Sequence, residues 1–206
     1  MSLVPDVKKL GYYTFDQMTL LGASCLISRT GYTGELGYEI YYPWEKAKEL
    51  WKTFLKNDKV KPTGLGVRDV LRIEMGFSLY GHELEEHISP LDAGLNKFLD
   101  WNKDFIGRAA LLEQKQSGVK RGMGCFVSDS RRSPRAGHKI YDAQQNKIGL
   151  VTSGTFSPAL QGGIGMGFID AEHSAIGGKI IFGDEKSKGT GTLIQRPFYK
   201  NGTLKT

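Results

Sequence analysis

The chain has 206 residues, 39% hydrophobic and 24% charged, which is too apolar for a disordered tail and too polar for a membrane protein. No apolar run approaches the ~20 residues that span a bilayer, and the start MSLVPDVKKLGYY lacks the apolar core of a secretory signal, so the expected location is cytoplasmic and Met1-Ser2-Leu3 reads as a cloning remnant. The 28 Lys+Arg against 22 Asp+Glu give a net charge of +6. That surplus favours encounter with anions, but only Lys120-Arg121 and Arg131-Arg132 with Arg135 cluster, and no aromatic platform accompanies them. An acidic protein or small acidic ligand is therefore the expected partner, not nucleic acid.

The first elements are short strands at 23–29 (ASCLISR) and 37–42 (GYEIYY). Between them, TGYTGELG places Gly31, Gly34 and Gly37 in a tight reversal. Pro43 opens a helix whose Ala47, Leu50, Trp51, Phe54 and Leu55 follow the spacing of one buried face. A second helix is predicted from about Leu65 to Met75, ended by Gly76, then a strand near Leu95–Trp101 and a helix over Phe105–Lys115. After the polar stretch QKQSG come six β-type runs: GMGCFV, HKIYD, KIGLVT, IGMGFI, KIIFG and TGTLIQR. They carry no helical period and predict a small antiparallel barrel or sandwich. The pattern is α/β or α+β in residues 1–116, followed by a β domain in residues 117–206.

Cys25 and Cys125 lie far apart, each in an apolar run, and read as small buried hydrophobes. The four histidines have no cysteine at metal-ligand spacing, so no metal site is expected. Nucleophile elbow, P-loop and dinucleotide fingerprint are missing, and GGIGMG (162–167) has the wrong spacing for the last. It reads as a turn entering a closely packed strand.

Two places could carry ligand chemistry. On a strand over 37–42, Gly37, Glu39 and Tyr41 face one side and Tyr38, Ile40 and Tyr42 the other. The Glu39 carboxylate could accept two parallel N–H bonds from a heterocycle edge, or it could simply lie on the wet face of a half-buried strand. Arg68 and Arg72 stand one helical turn apart. Asp69 can pair with Arg72 at i+3, leaving Arg68 to bind a carboxylate or to face water.

Taken in order, SRTGYTGELGYEI (28–40), GLGVRDVLRIEMGFSLYGHEL (64–84), SPLDAGL (89–95), KDFIGRAAL (103–111) and GLVTSGTFSPAL (149–160) resemble the aminomethyltransferase (T-protein) family of the glycine cleavage system. The resemblance covers nearly the whole chain past Leu20 and implies an α+β fold: a mixed strand–helix portion of a folate-binding domain, then a small antiparallel β-barrel. It implies transfer of the one-carbon unit from aminomethyl-lipoyl H-protein to tetrahydrofolate with release of ammonia. Tyr32, Glu39 and Arg68 match the family's folate-binding residues, and Arg135 matches a frequently basic barrel position that could meet H-protein. The family's organising aspartate belongs to an N-terminal region with no counterpart here, so no catalytic residue is assigned and the chain alone is expected to be inactive. A half-domain with exposed apolar surface is expected to pair with a second copy. Phe77 and Lys97 depart from the family's more usual tyrosine and tryptophan. A folate-binding iron–sulfur cluster assembly protein of the same fold is the alternative; its K-G-C-Y-x-G-Q-E motif is not found here.

Overall fold

A computed structural model describes residues 5–204; the Met1-Ser2-Leu3 stretch lies outside them. Spatial contacts group the chain into two units, one running up to Leu71 and including the tail from Asn201, the other Arg72–Lys200. That grouping is a different division from the compositional one at 116/117.

In the first unit, β1 (Phe15–Leu20), β2 (Ala23–Ser28) and β3 (Glu39–Tyr41) form an antiparallel sheet with β2 in the middle. The sequence reading did not include β1, whose FDQMTL is half polar. Leu21 and Gly22, with φ of 48° and 71°, make the tight turn that joins it to β2. Leu10, Leu20, Cys25, Ile27 and Leu50 form the buried core of this unit. Tyr38, Ile40 and Tyr42 pack against that core, as the expected alternation along β3 requires.

Helix α1 (Trp44–Leu55) starts after Pro43, as expected. Its apolar stripe is only half covered. Leu50 is buried and Phe54 packs on the core, whereas Trp51 is 55% exposed and Leu55 is 37% exposed. The helix meets the narrow sheet along one edge of the predicted face.

Helix α2 (Leu65–Glu74) carries the division between the units, and its burial rises along its length from exposed Leu65 to fully buried Ile73. It ends where the sequence indicates. Gly76 takes a left-handed φ of 64°, its N–H donates to the Ile73 carbonyl, and the Phe77 N–H donates to the Arg72 carbonyl. This double bond pattern closes a helix C-terminus on glycine.

In the second unit, the strand expected near Leu95–Trp101 is absent; residues Asn96–Phe98 form a short 3-10 turn instead. Its backbone bonds are local, from Phe98 to Leu95 and from Leu99 to Asn96, and Phe98 is exposed. An apolar run without a neighbouring strand closes on itself. Helix α3 (Arg108–Ser117) begins slightly later than predicted because Gly107, at φ 90°, turns the chain just before it.

All six β-type runs become strands: β4 (Arg121–Ser128), β5 (Lys139–Tyr141), β6 (Lys147–Ser157), β7 (Gly162–Asp170), β8 (Lys179–Gly183) and β9 (Lys188–Ile194). They close into a barrel in the order β4-β7-β6-β5-β8-β9, with β9 returning to pair β4. Phe126, Ile140, Val151, Ile169, Phe182 and Leu193 fill its interior, and the Phe126 and Phe182 rings meet at 5.2 Å. The glycines of β7 are spacers. A Cβ on Gly167 would lie 2.4 Å from the Leu150 carbonyl oxygen, and one on Gly165 would lie 2.5 Å from the Phe126 ring.

Arg72 and Glu83 form a buried ion pair at 2.9 Å, their side chains 1% and 0% exposed. The second Arg72 nitrogen donates to Ser153 Oγ at 2.7 Å, and Glu83 also accepts from the Leu79 N–H at 3.0 Å and from the Thr152 hydroxyl. A charge pair this dry is tolerable because its remaining polar atoms are also bonded.

Two stability changes are expected. Gly167→Ala, pressing on backbone that cannot swing away, should lower unfolding stability by about 1–3 kcal/mol in urea titrations. Glu83→Ala, which strands a buried guanidinium, should cost roughly 3–5 kcal/mol in the same measurement.

Candidate functional site

The site is built on the reversal between β2 and β3. Ser28 and Glu39 are direct partners in the ladder, so the chain leaves and re-enters the sheet side by side. Between them the backbone bends repeatedly, with Gly34 at φ 77°, a conformation costly to any residue carrying a Cβ.

A chain of hydroxyls fixes the carboxylate of Glu39. Thr30 Oγ1 donates to Glu39 Oε2 in a very short hydrogen bond. The Oγ atoms of Ser28 and Thr30 are 2.7 Å apart. Thr30 has one hydroxyl proton, and it is committed to Glu39, so Ser28 must be the donor to Thr30. Ser28 is itself buried, which anchors the relay at its inner end. Glu39 stands on the outer face of β3 and is exposed. Its burial is that of a wet strand face; what distinguishes it is the fixed orientation. A carboxylate has about four acceptor positions, and Thr30 uses one.

Arg68 is exposed on the first half of α2, and its guanidinium carbon lies 4.8 Å from the centroid of the Tyr32 ring. A cation over a ring face is held by the ring's quadrupole, and the N–H donors of a guanidinium suit a carboxylate or phosphate. Tyr32 follows Thr30 by two positions in the same reversal. The structure thus joins Tyr32 to Arg68 directly and ties Glu39 to the base of the loop that carries Tyr32.

Arg72 is a different case. The expectation of Arg68 and Arg72 as neighbouring guanidiniums on one helix face meets a different outcome: Arg72 is buried and forms an ion pair with Glu83, while Arg68 is exposed. Arg72 serves the interior and is withdrawn from ligand binding. Arg135 is exposed in the barrel unit, where its backbone N–H donates to His138 Nδ1 at 3.3 Å. Lys97 lies with its ammonium 4.9 Å over the Phe98 ring. Phe77 lends its carbonyl to Arg72 Nη1 at 3.3 Å, a role that does not depend on its side chain.

Both cysteines are free and buried. Burial pushes the Cys125 thiol up to about 12 and raises that of Cys25. Neither forms thiolate near neutral pH, which suits the packing role expected of them. Among the described residues, no group of three or more His, Cys, Asp or Glu side chains is placed to hold a metal ion, and no helix is long and apolar enough to cross a membrane.

Ser28, Thr30 and Thr203 were not singled out in the sequence, whereas Glu35 stands beside Glu39 among the carboxylates it offered. Ser28 and Thr30 lie inside the quoted motif SRTGYTGELGYEI, and the hydroxyls at both ends of SRT were the available signal for Glu39's support. Thr203 offered none. Its hydroxyl lies 2.5 Å from Glu35 Oε2 and accepts the Leu36 N–H at 2.9 Å, across most of the chain's length.

Residues 2–103 match the family model described as the GCVT N-terminal domain, and residues 120–200 match the glycine cleavage T-protein C-terminal barrel domain. A protein named aminomethyltransferase from Caldanaerobacter subterraneus subsp. tengcongensis is 42% identical over 205 residues, covering 97% of this chain and 54% of that protein. One of the same name from Pseudothermotoga lettingae is 39% identical over 209 residues, covering 100% of this chain and 57% of its own length. The crystal structure of glycine cleavage system aminomethyltransferase T from Bartonella henselae aligns with a TM-score of 0.88 at 30% identity, over 95% of this chain and 55% of that one. The chain spans about 55% of the length of these relatives. Two family models in tandem, relatives aligned over nearly every residue and a shared barrel architecture agree: the chain belongs to the glycine cleavage T-protein family.

Proposed function

We propose that this chain carries the folate-binding part of a tetrahydrofolate-dependent aminomethyltransferase, and that Tyr32, Glu39 and Arg68 hold the folate. The observation that carries the reading is the pairing of an oriented carboxylate, Glu39 fixed by Thr30, with a guanidinium, Arg68, stacked on Tyr32 in the same unit. A reduced pterin presents adjacent N–H donors along one edge, and the glutamyl tail of folate ends in carboxylates. The donor and acceptor types of the two ends therefore complement Glu39 and Arg68. The residues present fit the ligand by charge and hydrogen-bonding sense.

Tetrahydrofolate, when bound, supplies the nitrogen that accepts the one-carbon unit. The residues of this chain bind and orient. Glu39 fixes the rotation of the pterin by accepting from its edge. Arg68 neutralises an anionic part of the tail, and Tyr32 braces Arg68 and offers an aromatic face. Such positioning lowers a barrier only when the reacting groups meet within hydrogen-bond reach. The lipoylated H-protein is the proposed donor of the aminomethyl group, and the net charge of +6, with exposed Arg135, suits an acidic partner. The whole reaction, with ammonia released in the cytoplasm, is proposed for the full-length protein of this family. The family's organising aspartate has no counterpart among these residues, so turnover by this chain alone is proposed to be negligible.

Calorimetric titration with tetrahydrofolate tests the binding reading. The chain should bind, Glu39→Ala and Arg68→Ala should each weaken binding by about tenfold to a hundredfold, and Arg135→Ala should leave it unchanged. Equal affinity for the parent chain and both site variants would overturn the assignment.

A further inference from the structure

The C-terminal tail from Asn201 groups with the first unit. Its Thr203 and Leu204 bond to the glycine reversal that carries Tyr32. Glu35 Oε2 accepts from the Thr203 backbone N–H at 3.0 Å, and the Thr203 hydroxyl lies 2.5 Å from the same oxygen. The hydroxyl in turn accepts the Leu36 N–H at 2.9 Å. The Leu204 N–H donates to the Gly34 carbonyl at 3.2 Å. Four hydrogen bonds thus pin Gly34, Glu35 and Leu36 to two consecutive tail residues.

This reversal needs such support. It is neither helix nor strand, Gly34 holds a left-handed φ, and Thr33 Oγ1 receives the Glu35 N–H in a long local bond of 3.3 Å. Loops with few backbone partners open readily. Tyr32 sits at the near end of the pinned segment, and Arg68 rests on its ring at 4.8 Å. A shift of the loop would carry the Tyr32 ring away from Arg68, which is held on α2.

We infer that Thr203 is a positioning residue: through Glu35 and Leu36 the tail locks the reversal and so holds the Tyr32–Arg68 pair in its binding arrangement. The ligand part of this inference rests on the folate reading above. The chemistry of the clamp is specific. The residue at 203 must have a hydroxyl that donates to the Glu35 carboxylate and accepts from the Leu36 N–H at once. Serine satisfies both requirements and valine, similar in shape, satisfies neither.

The test combines hydrogen exchange with folate titration on the full chain, for the parent, Thr203→Val and Thr203→Ser. In Thr203→Val, amides of residues 31–38 should exchange about tenfold faster or more, with the barrel strands unchanged, and tetrahydrofolate should bind about tenfold more weakly. Thr203→Ser should restore both. Unchanged exchange over 31–38 in Thr203→Val would overturn the clamp, and faster exchange with undiminished folate affinity would overturn its positioning role. Faster exchange in Thr203→Val with no folate binding by the parent would support the clamp and defeat the folate reading instead.

Discussion

The hydroxyl of Thr30 is the small group on which the candidate site depends. A hydroxyl has one proton to give, and here it goes to Glu39, which forces the buried Ser28 to donate inward-to-outward along the relay. Without that bond, Glu39 would be an exposed side chain free to sample its rotamers, and ordering it on binding would cost entropy. With it, the carboxylate is aimed before any ligand arrives. Arg68 gains the same advantage from a different source, the Tyr32 ring beneath its guanidinium. The two proposed binding groups are thus pre-set by neighbours that belong to one short reversal.

Pre-setting does not remove water. Glu39 and Arg68 are both exposed, and hydrogen bonds to exposed charges trade against solvent almost one for one. Binding by these groups in the open should be modest, roughly in the micromolar-to-millimolar range, with geometry contributing more than raw affinity. The interior of the second unit shows the contrast. Arg72 and Glu83 are the same chemical types as Arg68 and Glu39, yet they face each other in the dark with every neighbour supplied by protein. Arg72 and Glu83 hold the fold, whereas Arg68 and Glu39 are the exposed groups proposed for the ligand.

The strands of the barrel were readable because each is a short apolar run bounded by Gly, Pro, Asn or Asp, and each found a partner. Gly76 announced the end of α2 for a local reason, its left-handed φ. What failed depended on contacts the sequence does not display. The run at Leu95–Trp101 had strand composition but no neighbour to pair with, and it curled into a 3-10 turn. FDQMTL, half polar, gave no strand signal in the sequence, and its pairing with β2 makes it one. The stripe of α1 was read as wholly buried, while the narrow sheet covers one edge of it. The buried partners of Arg72 were not visible because Glu83 and Ser153 lie beyond any helical spacing. For the candidate site, the alternation on β3 was legible and placed Glu39 opposite the core-facing Tyr38 and Ile40. The hydroxyl relay and the distant Thr203 were not, since side-chain relays and long-range ties leave no periodic trace.

The most direct measurement is a nuclear magnetic resonance titration of the isotopically labelled chain with tetrahydrofolate. The side-chain signals of Tyr32, Glu39 and Arg68 should shift together along one saturating curve, with the barrel amides of β4–β9 unmoved. Shifts confined to the barrel, or none at saturating ligand, would contradict the placement of the folate at the Thr30-anchored carboxylate.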